Sequence, residues 1–375
     1  MMKLSISLSL ETSHRHPYTQ DVAMKFRLNV VPEKVVPTND MHYMVLLDVS
    51  GSMEGVKLET AKKGVESLLA KIPEGNRATI LTFSDDVRTV ANFEEPRNVN
   101  LEFKAGGGTQ LYAALRTAYA KFRERGKPGY MILLTDGKPT DVHESEAYSK
   151  IEVPSSLTVY AFGVGEDYNE SILKSVVDSC GGKLYHLEDP ETISQELPKA
   201  TVTYVAAKDL TVEFRWPREV KILNYQGPPV RISAVQEVVK IYGETVLPAN
   251  ASGESLKAVV SYRDPTDGSV RIEEESVRLD DGDFLSGLNK DLMREYRYYE
   301  LLKKYGDEVM TGELDQATKT LDMMKKVAEE TRRVELVEAT RRLTRSFEST
   351  RRLESTKRTS RLSKEVASEV TKALR

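Results

Sequence analysis

Residues 42–52 read His-Tyr-Met-Val-Leu-Leu-Asp-Val-Ser-Gly-Ser, and this stretch decides the fold of the 375-residue chain. An uninterrupted apolar run that ends in a carboxylate is typical of a strand buried on both faces of a parallel sheet. Apolar residues then recur at helical spacing over residues 57–72. The stretch therefore predicts a strand–loop–helix unit with Asp48 at the end of the strand.

The same alternation of strand and helix continues along the chain. Further strands are predicted over residues 78–83, 87–93, 130–135, 157–164 and 183–187, and helices over 110–124, 169–179 and 190–206. Alternating β and α elements indicate an open, mostly parallel sheet with helices on both faces. We therefore expect a doubly wound α/β domain over residues 38–206.

Both flanks of this domain carry strand-like patterns with a period near two. They are residues 3–10 and 22–30 before it, and residues 209–215, 219–224, 229–242, 255–262 and 269–278 after it. Such alternation is typical of antiparallel sheet with one solvated face. We expect residues 1–37 and 207–284 to form one β-sandwich, with a helical segment over residues 285–337 (helices 286–305 and 312–335) packed against the rest.

Residues 338–375 form a basic segment rich in serine and threonine. It holds eleven Lys/Arg, five Asp/Glu and twelve Ser/Thr, a net charge of +6 in a chain whose net charge is −4. Such composition favours a solvated, partly helical tail. Four apolar residues spaced by four predict an amphipathic helix that packs on a partner: Leu362, Val366, Val370 and Leu374.

The same tail contains candidate phosphorylation sites. Basic residues precede Thr344 and Ser360 by two and three positions, a spacing that suits kinases with an acidic substrate groove. Thr356 and Thr359 are neighbouring candidates. Each phosphate would add about −1.5 to −2 charge and create a docking site for a phosphothreonine reader. Nucleic-acid binding is not favoured, because the tail has no interleaved aromatic residues apart from Phe347.

Cysteine content and hydropathy indicate a cytoplasmic protein. A single cysteine excludes an intrachain disulfide and fits a reducing compartment. The N-terminus lacks the long apolar core of a signal peptide, and no uncharged apolar run of about 18 residues occurs, so we expect no contact with a membrane.

Three short segments carry side chains suited to a divalent metal. Asp48, Ser50 and Ser52 follow the first buried strand, Thr109 follows three glycines, and Asp136 follows the strand predicted over 130–135. The carboxyl ends of parallel strands meet at one edge of a sheet, where ligands bind. Oxygen ligands of this kind suit Mg²⁺, Mn²⁺ or Ca²⁺ rather than zinc. Taken singly, the segments also fit a helix N-cap cluster, a flexible loop or a phosphate cradle, although the glycine run lacks the lysine of a P-loop.

Taken together and in order, these five residues resemble the von Willebrand factor A family. Its metal-ion-dependent adhesion site uses Asp-x-Ser-x-Ser, a distant Thr and a distant Asp, and the resemblance covers roughly residues 41–205. It implies that the first three residues, and often the Thr, hold the metal, most commonly Mg²⁺, while the last Asp acts through water. It also implies that the acidic side chain of a partner protein completes the coordination and that the domain is not an enzyme.

The wider layout resembles archaeal cytosolic proteins of this family. One such group works with Ser/Thr protein kinases and a forkhead-associated domain protein to repress archaellum (motility) genes. The resemblance predicts a cytosolic adaptor of motility gene expression. Two alternatives stay open at this point: a subunit of an AAA+ ATPase-linked chaperone or metal-insertion system, and a metal-dependent hydrolase. The second is disfavoured because no general base or nucleophile is evident near the motif.

Overall fold

The computed structural model describes residues 5–350 and 355–375. For residues 355–358 it describes the backbone alone. Its strands are β1 (Ile6–Thr12), β2 (Val22–Pro32), β3 (Val36–Pro37), β4 (His42–Asp48), β5 (Arg77–Phe83), β6 (Val87–Glu94), β7 (Gly129–Thr135), β8 (Leu157–Val164), β9 (Lys183–Leu187), β10 (Tyr204–Val205), β11 (Ala207–Arg215), β12 (Val220–Ile222), β13 (Val230–Val235), β14 (Val239–Leu247), β15 (Ser255–Arg263) and β16 (Val270–Arg278). Its helices are α1 (Val56–Lys71), α2 (Leu111–Arg125), α3 (Ser145–Ser149), α4 (Glu170–Asp178), α5 (Ile193–Glu196), α6 (Lys290–Met310), α7 (Leu314–Thr331), α8 (Val334–Thr350) and α9 (Ser355–Leu374).

The central domain is a six-stranded sheet with the order β6-β5-β4-β7-β8-β9. Five strands run parallel, and β6 lies antiparallel at one edge. Every residue of β4, β7 and β8 is buried, because α1 and α5 cover one face of the sheet while α2 and α4 cover the other. The predicted doubly wound α/β domain is confirmed, and β4 lies at its centre.

The flanking strands form two antiparallel sheets that share one core. Their orders are β1-β2-β14-β12 and β13-β11-β15-β16, and apolar residues from both sheets pack together between them. The N-terminal strand β2 pairs with β14 along nine residues, from Val239 opposite Val30 to Leu247 opposite Val22. The predicted sandwich, built from both flanks of the central domain, is present.

Two sequence predictions in this region were wrong in detail. Residues 229–242 were expected to form one strand, but β13 and β14 belong to different sheets. The exposed corner at Gln236, Glu237 and Val238 carries the chain from one sheet to the other. The helix expected over residues 190–206 is only the four-residue α5 between short 3₁₀ turns. Pro198 lies in the second turn, and proline has no N–H to continue a helix.

Helices α6 to α9 enclose a fourth core, rich in tyrosine and leucine, beside the sandwich. The buried Glu295 of α6 fixes them there, since its carboxylate pairs with Arg27 of β2 and accepts from the Tyr242 hydroxyl at 2.6 Å. The helix predicted over 312–335 ends at Thr331, where Arg332 adopts a left-handed conformation (φ 56°), and α8 follows. Among the described residues, no helix has both the length and the apolar content that a bilayer crossing requires.

The expectation of a solvated tail was wrong. Residues 334–350 and 355–374 form α8 and α9, so the boundary expected at residue 338 falls inside a helix. The predicted apolar stripe of α9 does exist, but it packs into the chain's own helical core. The opposite side is also buried, and it lies against the central domain through four polar residues: Ser363, Lys364, Ser368 and Thr371.

Three basic residues in and directly after α9 form ion pairs with the central domain. Lys364 lies 3.2 Å from Glu170, Arg375 lies 3.3 Å from Asp178, and Arg361 pairs with Glu188. Part of the basic charge of residues 338–375 is therefore engaged in contacts within the molecule.

Candidate metal centre

Asp48 is the last residue of the central strand β4, and its side chain is fully buried. One carboxylate oxygen accepts the backbone N–H of Ser50 at 2.8 Å, and the other accepts the Thr135 hydroxyl at 2.5 Å. Burial raises the pKa of Asp48 to about 6, and the negative charge of Asp136 adds to this effect. A buried carboxylate of this kind is stabilised by a cation.

The two serines lie on the turn that follows β4. Gly51–Met53 forms a single 3₁₀ turn, which brings the Ser50 and Ser52 hydroxyl oxygens to 3.1 Å from each other. Two backbone hydrogen bonds tie this turn to the glycine loop, from Gly51 N to Gly107 O and from Gly106 N to Val49 O. Backbone contacts thus hold the turn that carries the two serines against the glycine loop that precedes Thr109.

Asp136 follows β7, the strand next to β4, and its side chain is also fully buried. One carboxylate oxygen accepts the Ser52 hydroxyl at 2.7 Å, and the other is paired with the Lys57 ammonium. Asp48 and Asp136 therefore approach the two-serine turn from adjacent strands, as the sequence predicted.

Thr109 completes the set from the far side of the glycine loop. A Cβ atom placed on Gly137 would lie 3.2 Å from the Thr109 hydroxyl oxygen and 3.6 Å from the Ser52 hydroxyl oxygen. Both hydroxyls therefore lie close to Gly137, the residue that follows Asp136. The backbone of Thr109 is fixed by Thr140, whose hydroxyl accepts from Thr109 N at 3.0 Å and whose N–H donates to Thr109 O at 2.8 Å.

Asp85 holds the glycine loop, and the sequence analysis did not identify it. Its carboxylate accepts the N–H of Gly108 at 2.7 Å. A Cβ atom on Gly107 would lie 2.4 Å from this carboxylate, and Gly107 has φ +83°, so both the space and the conformation require glycine there.

Two more contributors were missed, Thr135 and Lys57. The strand register does contain a signal for Thr135, because Leu47 pairs with Leu134 and so places Asp48 beside Thr135. For Lys57 the signal is weaker, since it depends on where the first turn of α1 points after the 3₁₀ turn.

The donor set fits a hard divalent cation. All five predicted residues meet at the carboxyl ends of β4 and β7, and they present carboxylate and hydroxyl oxygens, which Mg²⁺, Mn²⁺ and Ca²⁺ prefer. Within residues 5–350 and 355–375, no group of three or more His, Cys, Asp or Glu side chains is arranged to hold a metal.

The candidate phosphorylation sites lie on α8 and α9. Ser360 is exposed, and its hydroxyl oxygen accepts from Lys364 Nζ at 2.9 Å. Thr344 is half-buried and donates to the Thr340 carbonyl at 2.9 Å within α8. Thr359 is half-buried on α9, and the side chain of Thr356 lies outside the described residues.

Two parts of the chain match the models of known protein families. Residues 44–199 match the model of the von Willebrand factor type A domain, which contains all five residues of the centre. The chain carries a von Willebrand factor type A domain. Residues 290–375, which form α6 to α9, match the family described as "Archaellum regulatory network B, C-terminal domain".

Solved structures extend the likeness beyond the A domain. The chain is similar to the ArnB paralog VWA2 from Sulfolobus acidocaldarius, with 29% identity, a TM-score of 0.87 and coverage of 99% of this chain and 98% of that one. A von Willebrand factor type A protein from Catenulispora acidiphila shares the fold, with 16% identity, a TM-score of 0.67 and 91% coverage of both chains. The likeness thus includes the sandwich and the C-terminal helices.

Curated relatives share a smaller part of the chain. An uncharacterised protein from Synechocystis is 28% identical over 162 residues, 40% of this chain and 38% of its own length. Inter-alpha-trypsin inhibitor heavy chain H2 from mouse is 21% identical over 208 residues, 50% of this chain and 22% of its own length. The chain therefore spans less than two fifths of the length of either relative.

Proposed function

We propose that this protein is a cytoplasmic regulatory adaptor that binds a partner protein through a divalent metal ion in its A domain. The observation that carries the proposal is the convergence of Asp48, Ser50, Ser52, Thr109 and Asp136 at one edge of the sheet. Asp48, the two serines and Thr109 would hold the ion, and Asp136 would act on it through water. The bound ion would supply a positive charge that attracts a carboxylate.

The role is binding rather than catalysis. Both carboxylates at the centre have their oxygens engaged, those of Asp48 by Ser50 and Thr135 and those of Asp136 by Ser52 and Lys57. Each of these oxygens has a second lone pair, which is available to coordinate an ion. Their contacts therefore suit ligand positioning.

The C-terminal helices connect the adaptor to regulation. The match of residues 290–375 to an archaellum regulatory domain supports a function in archaeal motility gene expression. In this proposal Ser/Thr protein kinases modify α8 and α9 at Thr344, Thr356, Thr359 or Ser360, and a forkhead-associated domain protein binds the phosphorylated form. The metal centre and the modified helices would then be two separate binding sites.

Affinity capture from native lysate tests this function. The intact protein and an Asp48→Asn variant are used as bait, each with added Mg²⁺ or with a chelator. We expect partners, a forkhead-associated domain protein among them, that bind the intact protein with Mg²⁺ and are lost with either the chelator or the variant. Capture of the same partners under all four conditions would contradict metal-dependent binding.

A further inference from the structure

Lys57 contributes a cation at the edge of the metal centre. It is the second residue of α1, and its ammonium group pairs with the carboxylate of Asp136. The side chain of Lys57 is 27% exposed, whereas that of Asp136 is 0% exposed. Lys57 is therefore the member of the pair that solvent, and a partner, can reach.

This position changes the charge that a partner meets. Asp48 and Asp136 carry two negative charges, which a divalent ion would balance, so the loaded centre is neutral without Lys57 and positive with it. The carboxylate of Asp85 accepts from the backbone of the glycine loop and is not counted in this sum. Among Asp48, Asp136, the ion and Lys57, the net charge of +1 therefore comes from Lys57.

The ammonium group also has capacity for a further contact. It carries three N–H donors, and its contact with Asp136 requires one of them. A compact, strongly hydrated ammonium on a partly exposed stem is suited to a second carboxylate. Because Asp136 contacts both Ser52 and Lys57, the ammonium group is paired with a carboxylate that is itself bonded to a proposed metal ligand.

We propose that Lys57 is a specificity-determining residue of the metal centre, and that the partner offers two neighbouring carboxylates, one to the metal ion and one to the Lys57 ammonium. This inference rests on the proposed function. It differs from a role in which Lys57 only orients Asp136, because an orienting residue would not distinguish one acidic ligand from two adjacent ones.

The test uses the full chain and two synthetic peptides of equal charge. One peptide has two adjacent glutamates, and the other has the same two glutamates separated by six alanines. Calorimetry first measures Mn²⁺ binding and then, with Mn²⁺ in excess, binding of each peptide. The intact protein is compared with Lys57→Met, Lys57→Arg and a control, Lys63→Met, which removes an exposed lysine from the same helix.

The intact protein, Lys57→Arg and Lys63→Met should bind the adjacent-glutamate peptide roughly tenfold more tightly than the separated one, a difference of ~1.4 kcal/mol. Lys57→Met should lose this preference. It should nevertheless bind Mn²⁺ at least as tightly as the intact protein does, because the substitution removes a positive charge near the ion. Equal affinity of the intact protein for the two peptides would overturn the inference, and so would weakened Mn²⁺ binding by Lys57→Met together with an unchanged preference. Failure of the intact protein to bind Mn²⁺ would instead overturn the proposed function on which the inference rests.

Discussion

The side-chain hydroxyl of Thr371 accepts the backbone N–H of Leu184 at 3.0 Å and so joins the last helix to the outermost strand of the A-domain sheet. Ser368, one turn earlier, donates to the Leu184 carbonyl at 3.0 Å and accepts the N–H of His186 at 3.3 Å. An edge strand normally presents unpaired backbone groups to solvent. In this protein, helix α9 satisfies several of them with hydroxyls, which couples the archaellum regulatory domain to the A domain.

Thr371→Val should destabilise the protein. The substitution keeps the shape of the side chain but leaves the buried N–H of Leu184 without an acceptor, at a cost of ~1–3 kcal/mol. Thr318→Val is the matched control, since Thr318 is exposed and its hydroxyl bonds only to its own helix. Urea unfolding of the two variants measures the difference, and equal stability would show that the contact between α9 and β9 contributes nothing.

His186 should make the stability of this contact depend on pH. Burial, together with the positive charges of Lys364, Arg361 and Lys372, lowers the pKa of His186 to about 4. Between about pH 6.5 and 4 the unfolded chain therefore binds a proton that the folded chain does not, so the free energy of unfolding falls as the pH falls through this window. The free energy of unfolding should fall by ~1–2 kcal/mol across this window. The effect is smaller than that of a fully buried histidine, because the ring is partly exposed to solvent.

Urea unfolding of the protein and of His186→Gln at pH 7 and pH 5 measures this contribution. The variant should lose less stability between the two pH values than the intact protein. His42, whose pKa burial also lowers to about 4, is present in both chains and cancels in the comparison. An identical loss in both chains would mean that His186 contributes nothing to it.

Phosphorylation should reach Ser360 before Thr344. Ser360 is exposed, whereas Thr344 is half-buried with its hydroxyl bonded inside α8. Intact mass and site mapping of protein from its native host, followed over time with the kinase, give the order. Substitution with alanine is the appropriate follow-up, because truncation after residue 337 would cut α8 and remove the helix that covers β9. An unmodified native protein would contradict the docking role of these sites.

Deletion of residues 1–36 should abolish cooperative folding. It removes β1 and β2, which together form half of a four-stranded sheet, so the edge of β14 that pairs with β2 loses its partner and apolar residues of the sandwich core are exposed. We expect aggregation in size-exclusion chromatography and loss of a single unfolding transition. A soluble, cooperatively unfolding truncation with unchanged β content would show that the sandwich does not need both flanks.

The sequence was sufficient to predict the A domain and to place the residues of the candidate metal centre at one edge of its sheet, because both depend on local patterns. The apolar run before Asp48 predicts a buried parallel strand, and parallel strands bring their carboxyl ends, here Asp48 and Asp136, to one edge. The sandwich followed from the period-two alternation on either side. Strands β13 and β14 were predicted as one strand, because the three exposed residues between them are too few to interrupt the alternation of apolar and polar residues.

The position of α9 was not predictable in the same way. The apolar spacing of Leu362, Val366, Val370 and Leu374 identified the helix, but no local pattern distinguishes a hydroxyl that faces water from one that bonds a strand. Ser368 and Thr371 were therefore read as part of a solvated tail, although both are buried. The pairing of Lys57 with Asp136 likewise depends on the direction of a side chain at the start of a helix.

Binding of Mg²⁺ or Mn²⁺ to the intact protein and to Asp48→Asn, measured by calorimetry, tests the central claim most directly. The intact protein should bind one divalent ion per chain, and Asp48→Asn should bind none while keeping its circular dichroism spectrum, because asparagine preserves the shape of the side chain but removes its charge. Asp86→Asn, at an exposed carboxylate in the loop between β5 and β6, is the control and should bind like the intact protein. Equal affinity of Asp48→Asn and the intact protein for the ion would contradict the metal centre and the adaptor function built on it.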